Sequence, residues 1–260
     1  MADFTGQGVI VTGASGIYGN WIAAAFARAG ARLCLTDRDP AALEAQLATL
    51  GAAEGSFTHA ADVTDDADLV ALAAAVAERW TTADILVNNA GVYPSGFLLD
   101  IEPSEWDRIM DINLRAPFVL TRLVARQMVA AGRKGSVINI SSGAARKMRR
   151  SVVPYCLSKT ALDRLTKGFA VELAEYGIRV NAVEPGFAAG STASPLTDEH
   201  VRQTTAGIPL GRPSAPDDAA NAVLFLCSPA AAYITGTSLA VDGGNSIGSL
   251  VVHQAKKTAL

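Results

Sequence analysis

Cysteine and histidine are scarce in this chain of 260 residues, three of each, and their placement narrows the chemistry. Cys34, Cys156 and Cys227 are odd in number, sit in apolar surroundings and show no ligand spacing. Neither a disulfide scaffold nor a cysteine metal site is expected, and the thiols are read as reduced. His59, His200 and His253 stand apart from one another, so no metal is expected from them either. Long apolar runs are also missing. The longest, Leu69 to Ala77, stops at Glu78, short of the roughly 18 to 20 residues that span a bilayer. The amino terminus, Met-Ala-Asp-Phe-Thr-Gly, has no basic stretch followed by an apolar one, so no secretory signal is read and a cytoplasmic location is expected. Basic charge is not in excess: 22 Lys and Arg against 25 Asp and Glu leave −3, which argues against nucleic acid or a membrane surface as partner.

Apolar residues are plentiful, at 50%, with 23 Gly and only 18% charged residues. That composition supports a large core and excludes a disordered chain. Strand-length apolar runs recur at Gly8 to Val11, Arg32 to Thr36, Ile85 to Val87, Val137 to Ile140, Ile178 to Val183 and Leu239 to Val241, with a weaker one near Ser56 to Ala60. Most are apolar on both faces, as parallel strands covered on both sides require. Helical periodicity fills the intervals Asn20 to Ala29, Pro40 to Leu50, Asp65 to Trp80, Pro103 to Ala131, Tyr155 to Tyr176 and Ala215 to Leu226. Strict alternation predicts an α/β chain with one doubly wound, seven-stranded parallel sheet of Rossmann type and helices on both faces. No linker or repeat marks a boundary, so residues 1–260 are expected to form a single domain, with 245–260 as a carboxyl-terminal extension. Two loops are long, Ser141 to Pro154 and Gly186 to Gly211, in the manner of substrate loops and lids.

The first strand runs into a turn bearing Gly13, Gly16 and Gly19, followed directly by a helix. Such a turn lets backbone approach a pyrophosphate, while the helix amino terminus offers unpaired N–H groups and partial positive charge. Asp37, 18 residues after Gly19 and at the end of the second strand, is placed to accept hydrogen bonds from an adenosine ribose. Its carboxylate would repel a 2′-phosphate, and the turn holds no Lys or Arg to offset that, so NAD is favoured over NADP. Arg38 is the opposing signal, because a guanidinium can grip a phosphate.

Tyr155 and Lys159 lie one helical turn apart on one face of a helix. An ammonium beside a phenol is expected to lower the phenol pKa from about 10 and make Tyr155 an acid/base near neutral pH. Ser142 precedes this pair by 13 residues, at the carboxyl end of a strand, where open α/β sheets bind ligands.

With these motifs in order the chain resembles a short-chain dehydrogenase/reductase of the compact type, over about residues 6 to 244. The matching positions include the glycine turn, Asp62-Val63, Asn88-Asn89-Ala90-Gly91, Asn113, Ser142, Tyr155, Lys159, Pro185-Gly186 and Val241-Asp242-Gly243-Gly244. The resemblance implies that Tyr155 is the acid/base and that Ser142 binds the reacting oxygen. It also implies that Lys159 tunes the tyrosine and binds the nicotinamide ribose, and that Asn113 holds a water linking the lysine to solvent. Dinucleotide contacts are implied for Gly13, Ser15, Gly16, Ile17, Tyr18, Gly19, Asp37, Asp62, Val63, Asn89, Ala90, Gly91, Tyr155, Lys159, Pro185 and Gly186. Two features depart from the family pattern. The glycines are spaced Gly-x-x-Gly-x-x-Gly, which leaves open which N–H groups of Ser15 to Tyr18 meet the pyrophosphate. Gly190 stands where the family often has Thr, so either Ser191 or Thr192 substitutes as the contact for the nicotinamide carboxamide after a small shift of the loop, or that contact is lost.

The substrate wall is expected from Tyr93, the segment after Ser142, and Phe187 with the loop beyond it. Arg146, Lys147, Arg149 and Arg150 crowd four cations between Ser142 and Tyr155. Arginines there can bind an anion, with Arg146, Arg149 and Arg150 as candidates, or can belong to a solvated loop or a subunit contact. The expected activity is hydride transfer between NAD and a secondary alcohol or carbonyl, on a polar or anionic sugar-like or hydroxy-acid substrate, by a homotetramer. The alternatives are an NADPH-dependent 3-oxoacyl or ketone reductase and a non-catalytic dinucleotide sensor, which would have no use for the Tyr155 set.

Overall fold

The computed structural model describes residues 2–190, 196–248 and 250. Seven strands form one sheet: β1 (Gly8–Thr12), β2 (Arg32–Asp37), β3 (Phe57–Ala60), β4 (Ile85–Asn88), β5 (Gly135–Ile140), β6 (Ile178–Pro185) and β7 (Ser238–Val241). Their order is β3-β2-β1-β4-β5-β6-β7 and every pairing is parallel. The order reverses between β1 and β4, which opens a crevice at the carboxyl ends of the central strands.

Helices α1 (Ile17–Arg28), α2 (Pro40–Leu50) and α8 (Pro216–Cys227) cover one face; α3 (Asp66–Trp80), α5 (Ala116–Ala130) and α6 (Val153–Leu173) cover the other. Alternation along the strands explains why both faces are apolar. Val9 and Val11 pack with Ile22, Phe26 and Val223, whereas Ile10 between them packs with Leu72, Val76 and Val124. Ile85 and Val87 follow the first pattern and Leu86 the second. Each such side chain contributes about 1.5–3 kcal/mol on full burial, and both helical layers are thereby held to one sheet.

Helix starts follow local chemistry. Asp39 caps α2 by accepting from the N–H groups of Ala41 and Ala42, and Asp65 caps α3 through Ala67. The structure corrects three expectations. α1 begins at Ile17 rather than Asn20, because Gly16 takes an extended conformation and serves as its N-cap. The helix expected over Pro103 to Ala131 is three pieces: α4 (Pro103–Met110), a π turn over Asp111–Arg115, and α5. The loop after Gly186 contains α7 (Asp198–Ala206), capped by the Thr197 hydroxyl, and the Ser141 to Pro154 loop contains a 3₁₀ turn over Gly143–Arg146. No helix among the described residues is long and apolar enough to cross a membrane. Cys34, Cys156 and Cys227 are buried free thiols.

Candidate active site

At the end of β1 the chain turns with Gly13 at φ +61°, left-handed backbone that favours glycine. A Cβ on Gly19 would lie 2.1 Å from the Gly13 carbonyl oxygen, so only hydrogen lets α1 close over the turn. The first turn of α1 has no side-chain cap, and its N–H groups face outward from the Gly16 N-cap. The Thr12 hydroxyl accepts from the N–H groups of Asn89 (3.0 Å) and Ala90 (2.9 Å), and Asn89 Nδ2 donates to the Thr12 and Gly13 carbonyls (both 2.9 Å). These bonds join the glycine turn to the Asn88-Asn89-Ala90-Gly91 turn across the crevice. Thr12 was not singled out by the sequence; its buried hydroxyl at a strand end is the signal that marks it.

Asp37 closes the far side. Its carboxylate accepts from the Ser15 N–H (3.2 Å), the Ser15 hydroxyl and the Arg38 N–H (2.8 Å), which locks Ser15 against the end of β2. The Asp62 carboxylate is occupied by the N–H and hydroxyl of Thr64, and those bonds hold its pKa below the usual range. Val63 packs near Thr12, Asn88 and Ala90. Tyr18 does more than present its backbone: its hydroxyl donates to the Gly186 carbonyl (3.1 Å), bridging α1 to the residue after Pro185. Ser191 and Thr192 lie outside the described residues.

Ser142 lies two residues past the end of β5 and caps the 3₁₀ turn, its hydroxyl accepting from the Ala144 N–H at 3.1 Å. Its hydroxyl also faces Tyr155 on α6 and acts to lower the phenol pKa. Tyr93 stacks its ring edge-on against Tyr155, centroids 4.5 Å apart, and its own side remains exposed. Lys159 is 4% exposed, sits 5.9 Å from the centre of the Tyr155 ring and donates to the Ile140 carbonyl (2.8 Å). Asn113, in the π turn, accepts from the Val92 N–H and donates to the Val92 carbonyl and the Ser158 hydroxyl. The extra residue of a π turn turns this side chain inward. A Cβ on Gly91 would approach Asn113 Oδ1 (3.3 Å) and Lys159 Nζ (3.5 Å), so Asn113, Lys159 and Gly91 share one small space.

The electrostatics differ from the expectation. Desolvation pushes the Tyr155 phenol up to about 12, opposed by the Ser142 hydroxyl and the charge of Arg149. Lys159 is not among the groups that lower it, because its ammonium is turned to Ile140 and is itself driven down to about 8 by burial. Proximity along a helix face is therefore insufficient: Lys159 is buried and Tyr155 partly so, and desolvation disfavours both charges.

The four cations after Ser142 do not converge. Arg146, a substrate candidate from sequence, instead pairs with buried Glu184 on β6 and donates to the Ser238 carbonyl (3.2 Å). Lys147 donates to the Asn245 carbonyl, and Arg150 lies over the Phe97 ring at 5.1 Å. Arg149 is the member whose charge acts on Tyr155. Phe187 faces His200 of α7 at 6.4 Å. Beneath the site, Asn88 donates to Asn139 (2.8 Å) and Thr121 (3.0 Å), and Asn139 donates to Thr166 (2.8 Å), fastening α5 and α6 to adjacent strands.

A family model described as enoyl-(acyl carrier protein) reductase matches residues 11–246. The chain is 39% identical over 241 residues to the galactitol 2-dehydrogenase (L-tagatose-forming) of Cereibacter sphaeroides, covering 91% of this chain and 94% of that protein. The chain belongs to the short-chain dehydrogenase/reductase family. A second member, the 3-oxoacyl-(acyl-carrier-protein) reductase of Vibrio cholerae, is 36% identical, over 93% of this chain and 98% of its own. The crystal structure of a short-chain type dehydrogenase/reductase from Mycobacterium marinum superposes with a TM-score of 0.85 at 32% identity, covering 95% of this chain and 97% of that one. This short-chain dehydrogenase/reductase is accordingly an oxidoreductase acting on CH–OH or C=O groups with a nicotinamide dinucleotide. Its residues fit such a group: hydrogen-only space at Gly13 and Gly19, an uncapped helix terminus and an acidic strand end line one crevice.

Proposed function

We propose that this enzyme oxidises a secondary alcohol of a polyol or hydroxy acid, with NAD as the hydride acceptor. The observation that carries the reading is the Tyr155 phenol, faced by Ser142 and flanked by Tyr93 and Lys159, at the mouth of the glycine-lined crevice. Bound NAD supplies the hydride exchange. The chain's own groups do the remainder. Tyr155 moves the proton at the substrate oxygen, and Ser142 donates a hydrogen bond to that same oxygen. Lys159, carrying positive charge below about pH 8, binds the cofactor ribose, while Asn113 holds its surroundings in place. Backbone N–H groups within Ser15 to Tyr18 that Asp37 does not engage take the pyrophosphate. Asp37 favours NAD by accepting from ribose hydroxyls and repelling a 2′-phosphate.

Galactitol oxidation by a relative supports a polyol, and Arg149, beside Tyr155, supports an acid. Tyr93 and Phe187 form the wall. Assembly as a homotetramer belongs to the same reading, supported by Phe118 and Val171, which stay exposed on α5 and α6. The competing reading, an NADPH-dependent 3-oxoacyl reductase, is favoured by the Vibrio relative and by Arg38 beside Asp37. An NAD-reduction screen over polyols, hydroxy acids and simple secondary alcohols tests the proposal, run with the wild type and with Tyr155→Phe. General acid–base catalysis is worth roughly 10²–10⁴-fold, so Tyr155→Phe should lose about 10³-fold in kcat while binding NADH normally. A variant that keeps a tenth of the activity or more removes Tyr155 from the mechanism.

A further inference from the structure

Glu184 is a carboxylate with 1% exposure in the strand Ile178–Pro185, behind the reactive side chains rather than among them. Burying it needs partners, and two reach it from different elements. Arg146, the last residue of the 3₁₀ turn that Ser142 caps, donates through Nε to Glu184 Oε2 and through Nη2 to the Ser238 carbonyl on β7. Asp163, on α6, brings a second carboxyl whose charge acts on Glu184, and its Oδ1 is buried with no hydrogen-bond partner. A second negative charge close to a buried carboxylate disfavours its ionised form, and Arg146 offsets part of that cost. Burial and Asp163 push Glu184 up to about 7. The other charges facing the cluster are Asp242, which acts on Arg146, and Lys159, on which Asp163 acts.

The location gives the cluster its consequence. Tyr155, Lys159 and Asp163 follow one another at single-turn intervals on α6, so Asp163 ends the row that begins with the phenol. Arg146 ends the turn that begins at Ser142. The turn is also held by Thr160, whose hydroxyl donates to the Ala145 carbonyl (3.0 Å), and by Gly143, where a Cβ would press on Asp242 and Ser246. Nearby, Ser151 sits at φ +67°, a strained conformation for a residue with a side chain, so the segment does not rest in this shape unaided.

We propose that Arg146 and Glu184, together with Asp163, are positioning residues that clamp the Ser142 turn and α6 to the sheet, and so keep Ser142 and Tyr155 in register. The inference rests on Ser142 and Tyr155 being the reacting pair, but its first readout needs no substrate. Hydrogen exchange of residues 143–152 is measured in the full-length wild type, Arg146→Met, Arg146→Lys and Glu184→Gln. Loss of the clamp in Arg146→Met should speed exchange in that segment by about tenfold or more and leave α3 and β1 unchanged. The same variant should lose about tenfold or more in kcat, with KM for NAD within about threefold, since positioning acts on the transition state. Glu184→Gln satisfies Arg146 with its carbonyl and Asp163 with its amide, so it should retain kcat within about threefold. Arg146→Lys keeps the charge without the fork and should exchange at an intermediate rate, which covers the case of a poorly folded Arg146→Met. Wild-type exchange in a folded Arg146 variant overturns the clamp and leaves the role of Tyr155 untouched. A rise in substrate KM alone, with kcat and exchange unchanged, also overturns it by making Arg146 a substrate contact.

Discussion

Replacing Lys159 with methionine should stabilise the fold while ending turnover. Lys159 is buried, and the fall of its pKa from 10.5 to about 8 corresponds to a penalty of about 3 kcal/mol on the ammonium form. Methionine has a similar unbranched stem and no charge to desolvate. The substitution leaves the Ile140 carbonyl without its 2.8 Å donor, a loss of about 1 kcal/mol, so the net gain is about 2 kcal/mol. For a chain of this size that raises Tm by about 4–8 °C. The gain depends on pH in a defined sense. Below about pH 8 the ammonium is present in native and unfolded wild type alike, and the native form bears the full desolvation cost. Between about pH 8 and 10.5 native Lys159 loses its proton while the unfolded chain keeps it, so wild-type stability rises and the gap closes. Tyr155, held up at about 12, affects both chains alike and cancels in the difference. Thermal or urea unfolding of the two proteins across that range reads the effect directly. A variant less stable than wild type under mildly acidic conditions, or a gap that does not narrow with pH, refutes the burial argument.

Gly19→Ala places a methyl 2.1 Å from the Gly13 carbonyl oxygen and 2.8 Å from the Ala14 Cα, backbone atoms that cannot swing aside. It should cost about 1–3 kcal/mol in unfolding free energy and weaken NADH binding by fluorescence titration; normal affinity would show that the turn has room to spare. Asp37→Ser removes the carboxylate that opposes a 2′-phosphate, and the NAD over NADP ratio of kcat/KM should fall by about tenfold or more, equivalent to about 1.4 kcal/mol. An unchanged ratio would mean that Asp37 serves only to hold Ser15.

Strand and helix order, the two-faced apolar character of the sheet and the glycine turn were legible because each depends on neighbours a few residues away. Tyr155 and Lys159 were legible for the same reason: one turn of helix sets them on a common face. Their protonation was not, since it depends on how dry the site becomes when α6, the π turn and β5 close around it. The Asn88, Asn139 and Thr166 chain was also out of reach, because its partners arrive from separate strands and helices, although an asparagine inside an apolar strand is a hint that something must satisfy it.

The arginine cluster divides the two kinds of information most clearly. By itself the sequence determined the fold, the crevice and the residues that meet at its mouth, since periodicity and short spacing act locally. Tertiary structure alone decided that Arg146 turns from the substrate side toward Glu184, that Arg150 rests on Phe97, and that Arg149 is left acting on Tyr155. A long flexible side chain takes whichever partner packing brings within reach, and here the deciding partner, Glu184, is 38 residues further along the chain.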